Sequence, residues 1–303
     1  MRSFAVYVPA STSNIGPGFD CVGLAVNLWN EARFHFDSSL SSIEITAEGY
    51  QNKFQKNPSE NLIFRSFLHF FELKGIKVPE GLRIHCVNRV PIGSGLGSSS
   101  TAILIGLLAA DELLGTKTSQ QGILEIAASL EGHPDNVTPA IFGGLTAASM
   151  DETGVRTERF PIADWNMAVV VPHFNLSTKA ARKALPDTVP FRDAVFNLNH
   201  AIFLMRALQD GDEEELRFAM QDRLHQQYRM RLIPGSEAIL QAGVDAGAAA
   251  TGLSGAGPGV IAFSMGKTDQ ILAAMLQAAH LAGYEADGFE LKTSSNGAWI
   301  MPL

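Results

Sequence analysis

The stretch Val90-Pro-Ile-Gly-Ser-Gly-Leu-Gly-Ser-Ser-Ser-Thr-Ala102 places three glycines at alternate positions before three successive serines. An apolar, helix-forming run from Ala102 to Leu114 follows it. Glycine can adopt positive φ and has no Cβ atom that would keep a ligand from the backbone. The serines can cap the helix, whose free N–H groups and positive dipole end attract anions. The stretch therefore predicts a loop that holds a polyphosphate, and a plain glycine-rich turn before a buried helix is the alternative.

The spacing of this stretch excludes three other kinds of phosphate loop. A Walker loop continues into Gly-Lys-Ser or Gly-Lys-Thr, and no such sequence follows here. A dinucleotide-binding fingerprint needs a third glycine where Ser98 stands. A protein kinase would also contain His-Arg-Asp and Asp-Phe-Gly, and the chain contains neither.

The composition limits the class of protein. With 303 residues, of which 46% are hydrophobic, the chain can bury a large core, and its length suggests two domains. A net charge of −8 argues against a general nucleic-acid binder, which needs a basic surface. Cys21 and Cys86 are the only cysteines and form no metal-binding pattern, as expected in a reducing cytoplasm. The longest apolar stretch, from Ala102 to Ala110, is too short to cross a bilayer, so we expect a cytoplasmic protein that binds neither nucleic acid nor membrane.

Periodic patterns predict a mixture of strands and helices without strict βαβ alternation, which indicates an α+β fold. The predicted strands are Ser3–Val8, Val26–Phe36, Ile43–Ala47, Leu82–Asn88, Met167–Val171, Val260–Phe263, Gly288–Leu291 and Gly297–Met301, and a turn that begins at Phe142–Thr146 leads into a further strand. The predicted helices are Asn61–Lys74, Ala102–Leu114, Ser119–Leu130, Thr178–Leu185, Arg192–Gln209, Glu213–Leu224, Ser236–Gly247 and Gln270–Ala282. The charged, turn-rich segment from Asp151 to Asp164 is the predicted domain boundary.

The pattern Pro91-x-x-x-Gly-Leu-Gly-Ser-Ser99 resembles the second motif of the GHMP kinases, which are named for galactokinase, homoserine kinase, mevalonate kinase and phosphomevalonate kinase. Pro9–Ala25 and Gly252–Val260 resemble the first and third motifs, in the family's order. The resemblance implies a domain like domain 2 of ribosomal protein S5 over residues 1–158 and a ferredoxin-like domain over residues 159–303. It also implies that the second motif binds ATP through Pro91, Ile92, Gly93, Ser94, Gly95, Leu96, Gly97, Ser98, Ser99, Ser100 and Thr101.

The first motif resembles the branch of the family that phosphorylates homoserine. The resemblance implies that Asn14 and Asp20 contact the amino-acid substrate, with Asp20 as the partner of its ammonium group. A surface turn in which these two side chains cap the local backbone is the alternative. The resemblance further assigns to substrate binding Thr178, Arg182, Arg229 and Gly255. Arg231 remains an alternative to Arg229, and surface arginines are the alternative for both segments.

A magnesium site is the next expectation. Mg²⁺ takes few protein oxygens and completes its octahedron with water and phosphate. The family's metal glutamate lies eleven residues before the asparagine of an Asp-Asn pair, and counting back from Asn136 gives Glu125. The resemblance therefore favours Glu125, with the Ser98 hydroxyl, as the ligands of Mg²⁺, and Glu131 is the competing assignment.

The resemblance implies Asn136, Ser98 and Glu125 as the catalytic set. An amide such as Asn136 cannot accept the proton of the substrate hydroxyl, so positioning and charge stabilisation are expected to carry the reaction. Asp135 is an alternative base, and we interpret His133 as a capping or packing residue.

The implied reaction is transfer of the γ-phosphate of ATP to the hydroxyl of L-homoserine in threonine biosynthesis, by a homodimer that uses Mg²⁺. The alternatives are a GHMP kinase for another small alcohol, such as mevalonate, and a non-catalytic nucleotide-binding regulator.

Overall fold

A computed structural model describes residues 2–39, 41–50, 57–174 and 176–303. The first half of the chain contains β1 (Arg2–Ser13), β2 (Val22–Phe36), β3 (Ile43–Gly49), α1 (Leu62–Leu73), β4 (Leu82–Asn88), α2 (Ser98–Leu114), α3 (Gln120–Glu131), α4 (Val137–Phe142), β5 (Leu145–Asp151) and β6 (Gly154–Phe160). The second half contains β7 (Asn166–Pro172), α5 (Thr178–Lys183), α6 (Phe191–Asp210), α7 (Glu213–Ala219), α8 (Gln226–Met230), α9 (Ser236–Asp245), β8 (Ala250–Leu253), β9 (Val260–Ser264), α10 (Asp269–Leu281), β10 (Ala286–Lys292) and β11 (Trp299–Pro302).

The first sheet has the order β11-β1-β2-β4-β3, with β5 pairing both β2 and β6. Strands β3 and β4 are parallel, and α1 connects them. One hydrophobic core lies between this sheet and the helices α1, α2 and α3, with Phe34, Phe67 and Leu104 among its members. Helices α1 and α2 pack closely at Gly106. A Cβ atom there would lie 2.2 Å from the Ile63 carbonyl oxygen, so the contact requires glycine. This packing fixes α1 and α2 against each other at the middle of α2.

The second sheet is antiparallel, with the order β10-β7-β9-β8. Its central strand β7 is buried on both faces, which explains the unbroken apolar run Met167–Val171. Met167, Val169 and Val171 point into a core shared with the ends of β1 and β2. Ala168 and Val170 point into a separate core under α9 and α10. The shared core fixes the two sheets relative to each other, so the loops between them form a stable site.

The α+β fold class is confirmed, and most elements agree with their predicted ranges within a few residues. Four short elements were missed: α4, β6, α8 and β8. The helix predicted over Glu213–Leu224 ends at Ala219, because Asp222 then accepts the backbone N–H groups of Leu224, His225 and Gln226 and so caps α8. None of the helices in the described ranges has the length and apolar character needed to span a membrane.

The segment from Asp151 to Asp164 is an exposed hairpin rather than a linker. Asp151 accepts the Thr153 N–H in the turn, and β6 pairs with β5 over its whole length. A division between residues 158 and 159 would therefore cut β6. The last strand, β11, also returns to the first sheet, where it pairs with β1. A half-exposed hairpin has the same charged, turn-rich composition as a linker, and this similarity explains why the sequence predicted a domain boundary where the structure has a strand.

Candidate active site

A cavity lies where the glycine-rich loop meets the loops of the second sheet. Its walls come from six parts of the chain: the β1–β2 loop, the glycine-rich loop with the first turn of α2, the end of α3 with the α3–α4 loop, helix α5, helix α8, and the β8–β9 loop. The cavity is lined by polar and charged side chains, among them those of Asn14, Ser98, Ser99, Glu131, His133, Asn136, Thr178, Arg182 and Arg229. Residues from all three sequence motifs therefore meet at one place.

Helix α2 begins with its N–H groups free to bind an anion. The residue before it, Gly97, has a left-handed conformation (φ 67°) and makes no side-chain capping bond. The sequence predicted that the serines cap the helix. In the structure Ser98, Ser99 and Ser100 form its first turn instead. The Thr101 N–H donates the first helical hydrogen bond, to the Gly97 carbonyl. The N–H groups of this first turn have no helical acceptor. Together with the helix dipole they form an anion-binding site at the cavity wall.

Gly95 is required for packing between two loops. A Cβ atom there would lie 2.0 Å from the Ser254 carbonyl oxygen, and φ is +82°. The Ser254 hydroxyl also donates to the Gly95 carbonyl at 2.9 Å. The sequence suggested that these glycines leave room for a ligand, but at Gly95 the space is taken by the β8–β9 loop. The third motif thus supports the phosphate loop directly.

We expect Gly95→Ala to lower the melting temperature far more than Gly93→Ala. Both positions have positive φ, which costs an L-residue about 1 kcal/mol. Only Gly95 adds a steric clash, since a Cβ atom on Gly93 meets nothing within 4 Å, and overpacking adds about 1–3 kcal/mol. Thermal unfolding of the two variants measures the difference. Equal losses of stability would contradict the packing role of Gly95.

Glu131, and not Glu125, lies at the cavity. The Ser99 hydroxyl donates to Glu131 Oε2 at 2.8 Å, and burial raises the pKa of this carboxyl. Glu125 is exposed, and its nearest polar partner is the Gln121 side chain at 3.1 Å. Six residues along one helix turn the side chain by about 240° and move it by about 9 Å. Glu125 therefore points away from the cavity wall that carries Ser98, whereas Glu131, the competing assignment, lies beside it.

The Asn136 side chain is held at both ends. Its Nδ2 donates to the Ser13 hydroxyl at 2.7 Å, and its Oδ1 accepts from Ser11 at 3.0 Å. The neighbouring Asp135 is 1% exposed and does not line the cavity. Burial acts to raise the pKa of Asp135, but the hydrogen bond and charge of His133, 2.6 Å away, outweigh it and leave the pKa lowered. Asp135 is thus tied to His133 behind the cavity wall, where it is poorly placed to act as a base.

Asp20 and Arg182 form a bidentate ion pair. The Arg182 Nη1 and Nη2 atoms donate to the two carboxylate oxygens at 2.8 and 2.7 Å. This hydrogen bonding raises the pKa of Arg182. Asn14 has a positive φ of 55°, and its Oδ1 accepts the Asp20 N–H, which fixes the loop that carries the carboxylate. The two predicted substrate residues therefore form one unit at the cavity, with Arg182 in its wall.

Arg229 is the buried arginine of the site. It is 1% exposed, its Nη1 donates to the Gly255 carbonyl at 3.2 Å, and its guanidinium lies 4.9 Å from the centre of the Phe19 ring. Its Nε is buried without a partner, and within the described ranges no carboxylate forms an ion pair with it. Arg231 is exposed and lies over Tyr228. The structure therefore brings Arg229 to the cavity, with Thr178 and Gly255, and leaves Arg231 outside.

Two descriptions of protein families match the chain: the N-terminal domain of the GHMP kinases over residues 61–144 and their C-terminal domain over residues 204–281. The chain is 40% identical over 302 residues to the homoserine kinase of Synechococcus sp., with 97% of each chain covered. The chain belongs to the GHMP kinases. This confirms the resemblance of the three motifs.

Other relatives of this GHMP kinase support the same family assignment. It is 40% identical over 298 residues to the homoserine kinase of Caldanaerobacter subterraneus, covering 98% of this chain and 95% of the relative. The crystal structure of homoserine kinase from Cytophaga hutchinsonii superimposes with a TM-score of 0.87 at 28% identity, covering 99% and 98% of the two chains. A mevalonate kinase from Leishmania major, at 16% identity, has a TM-score of 0.77 over 96% of each chain and shows the shared fold alone.

A second cavity adjoins the first and was not predicted from the sequence. The two cavities share Gly93, Ser98 and Ser99. The second is lined mainly by apolar and amide groups, those of Asn30, Asn61, Leu62, Ile63, Cys86, Asn88, Ile92 and Ala102 among them. Apart from the Glu60 carboxylate this lining is uncharged, which suits a flat heterocyclic base, whereas the first cavity is lined by Glu131, Arg182 and Arg229. In this GHMP kinase the phosphate loop therefore separates an apolar chamber from a charged one.

Asn30 shapes the phosphate loop from the second cavity. It is 4% exposed, and its Oδ1 accepts the N–H groups of Arg89 and Val90 at 2.9 and 3.0 Å. Its Nδ2 donates to the Thr101 hydroxyl at 2.9 Å. One amide thus joins the entry of the loop to the first turns of α2. A lone asparagine within a strand gives no signal of this role in the sequence.

Proposed function

We propose that this GHMP kinase transfers the γ-phosphate of ATP to the side-chain hydroxyl of L-homoserine, which yields O-phospho-L-homoserine for threonine biosynthesis. Relatives named homoserine kinase share about 40% of its residues over nearly the whole chain. The observation that carries the proposal is the buried Arg229, whose Nε has no partner, in the same cavity as Arg182. A buried, unpaired cation is costly unless a ligand anion completes it.

The charged chamber is complementary to an α-amino acid. A zwitterion carries an ammonium and a carboxylate on one carbon, and the Asp20–Arg182 pair presents the opposite charges side by side. We propose that the ammonium binds Asp20 and that the carboxylate binds Arg182 and Arg229, whose planar guanidinium groups suit carboxylates. Asn14, Thr178 and Gly255 complete this side of the chamber.

Phosphoryl transfer then needs positioning more than proton abstraction. The first-turn N–H groups of α2 bind the phosphates of ATP, with the base in the apolar chamber. The Asn136 amide, fixed by Ser11 and Ser13, contacts the substrate near its hydroxyl. Because the transition state of phosphoryl transfer is loose, alignment and charge stabilisation supply most of the rate. A side-chain base is therefore not required.

We propose Glu131 and Ser98 as the residues that hold Mg²⁺. Both line the charged chamber beside the phosphate-binding turn, and a carboxylate with a hydroxyl oxygen is a donor set that Mg²⁺ accepts. Within the described ranges no three His, Cys, Asp or Glu side chains come together as a metal centre, so the remaining ligands would be water and phosphate. The bound ion would supply positive charge that neutralises the phosphates.

Two other functions are less well supported. A mevalonate-like alcohol has no ammonium group, so it would make no use of the Asp20 carboxylate in the charged chamber. A non-catalytic regulator would have no use for the combination of an uncapped phosphate-binding helix, Glu131 and a buried arginine in one cavity. The homoserine kinases of Synechococcus sp. and Caldanaerobacter subterraneus are each 40% identical to the chain over nearly its whole length.

An ADP-release assay tests the proposal. With ATP and Mg²⁺, we expect turnover of L-homoserine and at most a trace with mevalonate or 4-hydroxybutyrate. 4-Hydroxybutyrate matters most, because it keeps the hydroxyl and the carboxylate but lacks the amine. Efficient use of either analogue with homoserine inert would refute the proposed substrate.

We also propose that the chain forms a homodimer through α6. Five large apolar side chains of this helix are exposed, with Phe191 85%, Leu198 67% and Ile202 72% accessible. Their spacing of three and four residues places a stripe along one side of the helix. The first and last turns of the helix carry the ion pairs Arg192–Asp193 and Arg206–Asp210, so charged side chains flank the apolar stripe at both ends.

Replacement of Ile202 by glutamate is expected to convert the dimer into a monomer, because a charge in the middle of the stripe would be buried unpaired. Light scattering after gel filtration measures the mass of both proteins. A monomeric wild-type chain, or an Ile202→Glu variant that stays dimeric, would contradict the interface. Leu281→Glu is the matched control, since Leu281 is 80% exposed on α10 and outside the stripe.

We place the reaction in the cytoplasm. Cys21 is exposed and Cys86 is buried, and both are free thiols. Such thiols are usual in a reducing compartment, where disulfides are rare.

A further inference from the structure

His225 is a buried histidine that joins two parts of the charged chamber. It is 0% exposed and lies at the N-terminal cap of α8, four residues before Arg229. Its Nε2 is 2.7 Å from the carbonyl oxygen of Gly16, in the loop that carries Asp20. Its Nδ1 is 3.5 Å from Arg229 Nη1. The ring therefore bridges the loop of the first motif and the buried arginine.

An aromatic ring completes this connection. The Phe19 ring stacks on His225, with centroids 5.3 Å apart and an angle of 28° between the planes. The same ring lies 4.9 Å from the Arg229 guanidinium and 5.7 Å from that of Arg182. Cation–π contact holds a guanidinium flat against a ring. Phe19 and His225 together thus contact both arginines assigned to the substrate carboxylate.

The two hydrogen bonds of the His225 ring require the neutral tautomer that carries its proton on Nε2. The Gly16 carbonyl can only accept, so Nε2 must carry a proton. Arg229 can only donate, so Nδ1 must present its lone pair. Asp222 Oδ2 lies 3.7 Å from the same Nε2, and this carboxylate also accepts the backbone N–H groups of His225 and Gln226. Burial lowers the pKa of His225, in agreement with a neutral ring.

From this geometry we infer that His225 is a positioning residue for substrate recognition: through its two ring nitrogens and its stack on Phe19 it sets the orientation of Arg229 toward the carboxylate of the acceptor. It does not touch the reacting atoms. The inference rests on the proposed function, because the carboxylate it refers to is that of the amino-acid acceptor. It adds a residue to recognition that none of the three motifs contains.

Three variants separate this role from general stability. His225→Leu removes both ring nitrogens, His225→Gln keeps one donor and one acceptor, and His200→Leu is the matched control. His200 is also buried, but it lies on α6 and bonds the Phe196 carbonyl, away from the cavity. Each protein is assayed with L-homoserine and with 3-amino-1-propanol, which is homoserine without its carboxylate. The measured quantity is the ratio of kcat/KM for the two acceptors, together with the KM for ATP.

We expect His225→Leu to lower this ratio at least about tenfold, the range for losing a hydrogen bond to a charged group, mainly through the KM for homoserine. The KM for ATP should stay within about twofold of wild type, and His225→Gln should restore most of the ratio. His200→Leu should leave the ratio unchanged. A purely structural role would reduce the use of both acceptors equally and leave the ratio intact, which would overturn the inference.

If His225→Leu does not fold, Phe19→Leu provides the test, since Phe19 is only partly buried and its loss removes the ring beneath both guanidinium groups. The same fall in the ratio is expected, and an unchanged ratio would overturn the inference. Wild-type protein that does not phosphorylate homoserine would instead refute the proposed function. A wild type active on homoserine, with an unchanged ratio in the variants, would refute the role of His225 alone.

Discussion

The Glu131→Gln variant should lose about a thousandfold in kcat, the effect of removing a charged group that acts on the transition state. Glutamine keeps the size of the side chain and can still accept from Ser99, so the fold should survive. The negative charge beside Ser98 and the phosphate-binding turn is lost, and with it the carboxylate we assign to Mg²⁺. Activity at saturating ATP is measured over a range of magnesium concentration, and the variant should need more magnesium for its residual activity.

Glu125→Gln is the matched control for this prediction. Glu125 lies on the same helix and is exposed. Its position on α3 directs its side chain toward Gln121 and away from the cavity. We expect its variant to keep wild-type turnover and magnesium dependence. The reverse result, with Glu125→Gln inactive and Glu131→Gln normal, would refute the metal-site assignment.

Arg229→Met should raise the KM for homoserine by about two orders of magnitude, in the range reported for breaking one side of a buried charged pair. Methionine retains much of the apolar volume beside Phe19 and removes the guanidinium. The KM for ATP should change little, because the phosphate loop and the apolar chamber do not include this residue. Steady-state kinetics with each substrate varied in turn measures the two values.

Arg231→Met controls for the loss of a positive charge nearby. Arg231 is exposed over Tyr228 and does not reach the cavity. Its variant should have wild-type constants for both substrates. If Arg231→Met raised the KM for homoserine and Arg229→Met did not, the carboxylate site would have to move to the other arginine.

The phosphate loop could be predicted from sequence because its chemistry is local. Alternating glycines and a helix start lie within thirteen residues, and their roles depend on backbone conformation there. The sequence did not reveal the residue against which Gly95 packs. The close contact of Gly95 with Ser254 joins positions far apart in the chain, and only the folded structure brings them together.

Counting back from Asn136 favoured Glu125, whereas the structure places Glu131 at the cavity, because residue counting assumes a fixed loop length. Helix α3 ends at Glu131, where Gly132 takes a left-handed conformation with φ 88°. This leaves Glu131 in the last turn, next to Ser99, and points Glu125 away. The glycine after Glu131 is a helix-stop signal that could have favoured Glu131.

The roles of Asn30 and His225 have no signal in the sequence. Each depends on a bond between distant segments, such as His225 with Gly16, and residue type alone does not distinguish a bridging histidine from a packed one. The hairpin formed by β5 and β6 was hidden for a related reason, since its exposed strands alternate polar and apolar residues only weakly.

Phosphorus NMR of the reaction mixture tests the central claim most directly. Purified protein is incubated with ATP, Mg²⁺ and L-homoserine, and the spectrum is recorded without proton decoupling. Transfer to the side-chain hydroxyl predicts a phosphomonoester signal split into a triplet by the adjacent CH₂ group, together with the signals of ADP. A spectrum that contains inorganic phosphate as the only new phosphate besides ADP, or that shows unchanged ATP, would contradict the assignment of this chain as a homoserine-phosphorylating enzyme.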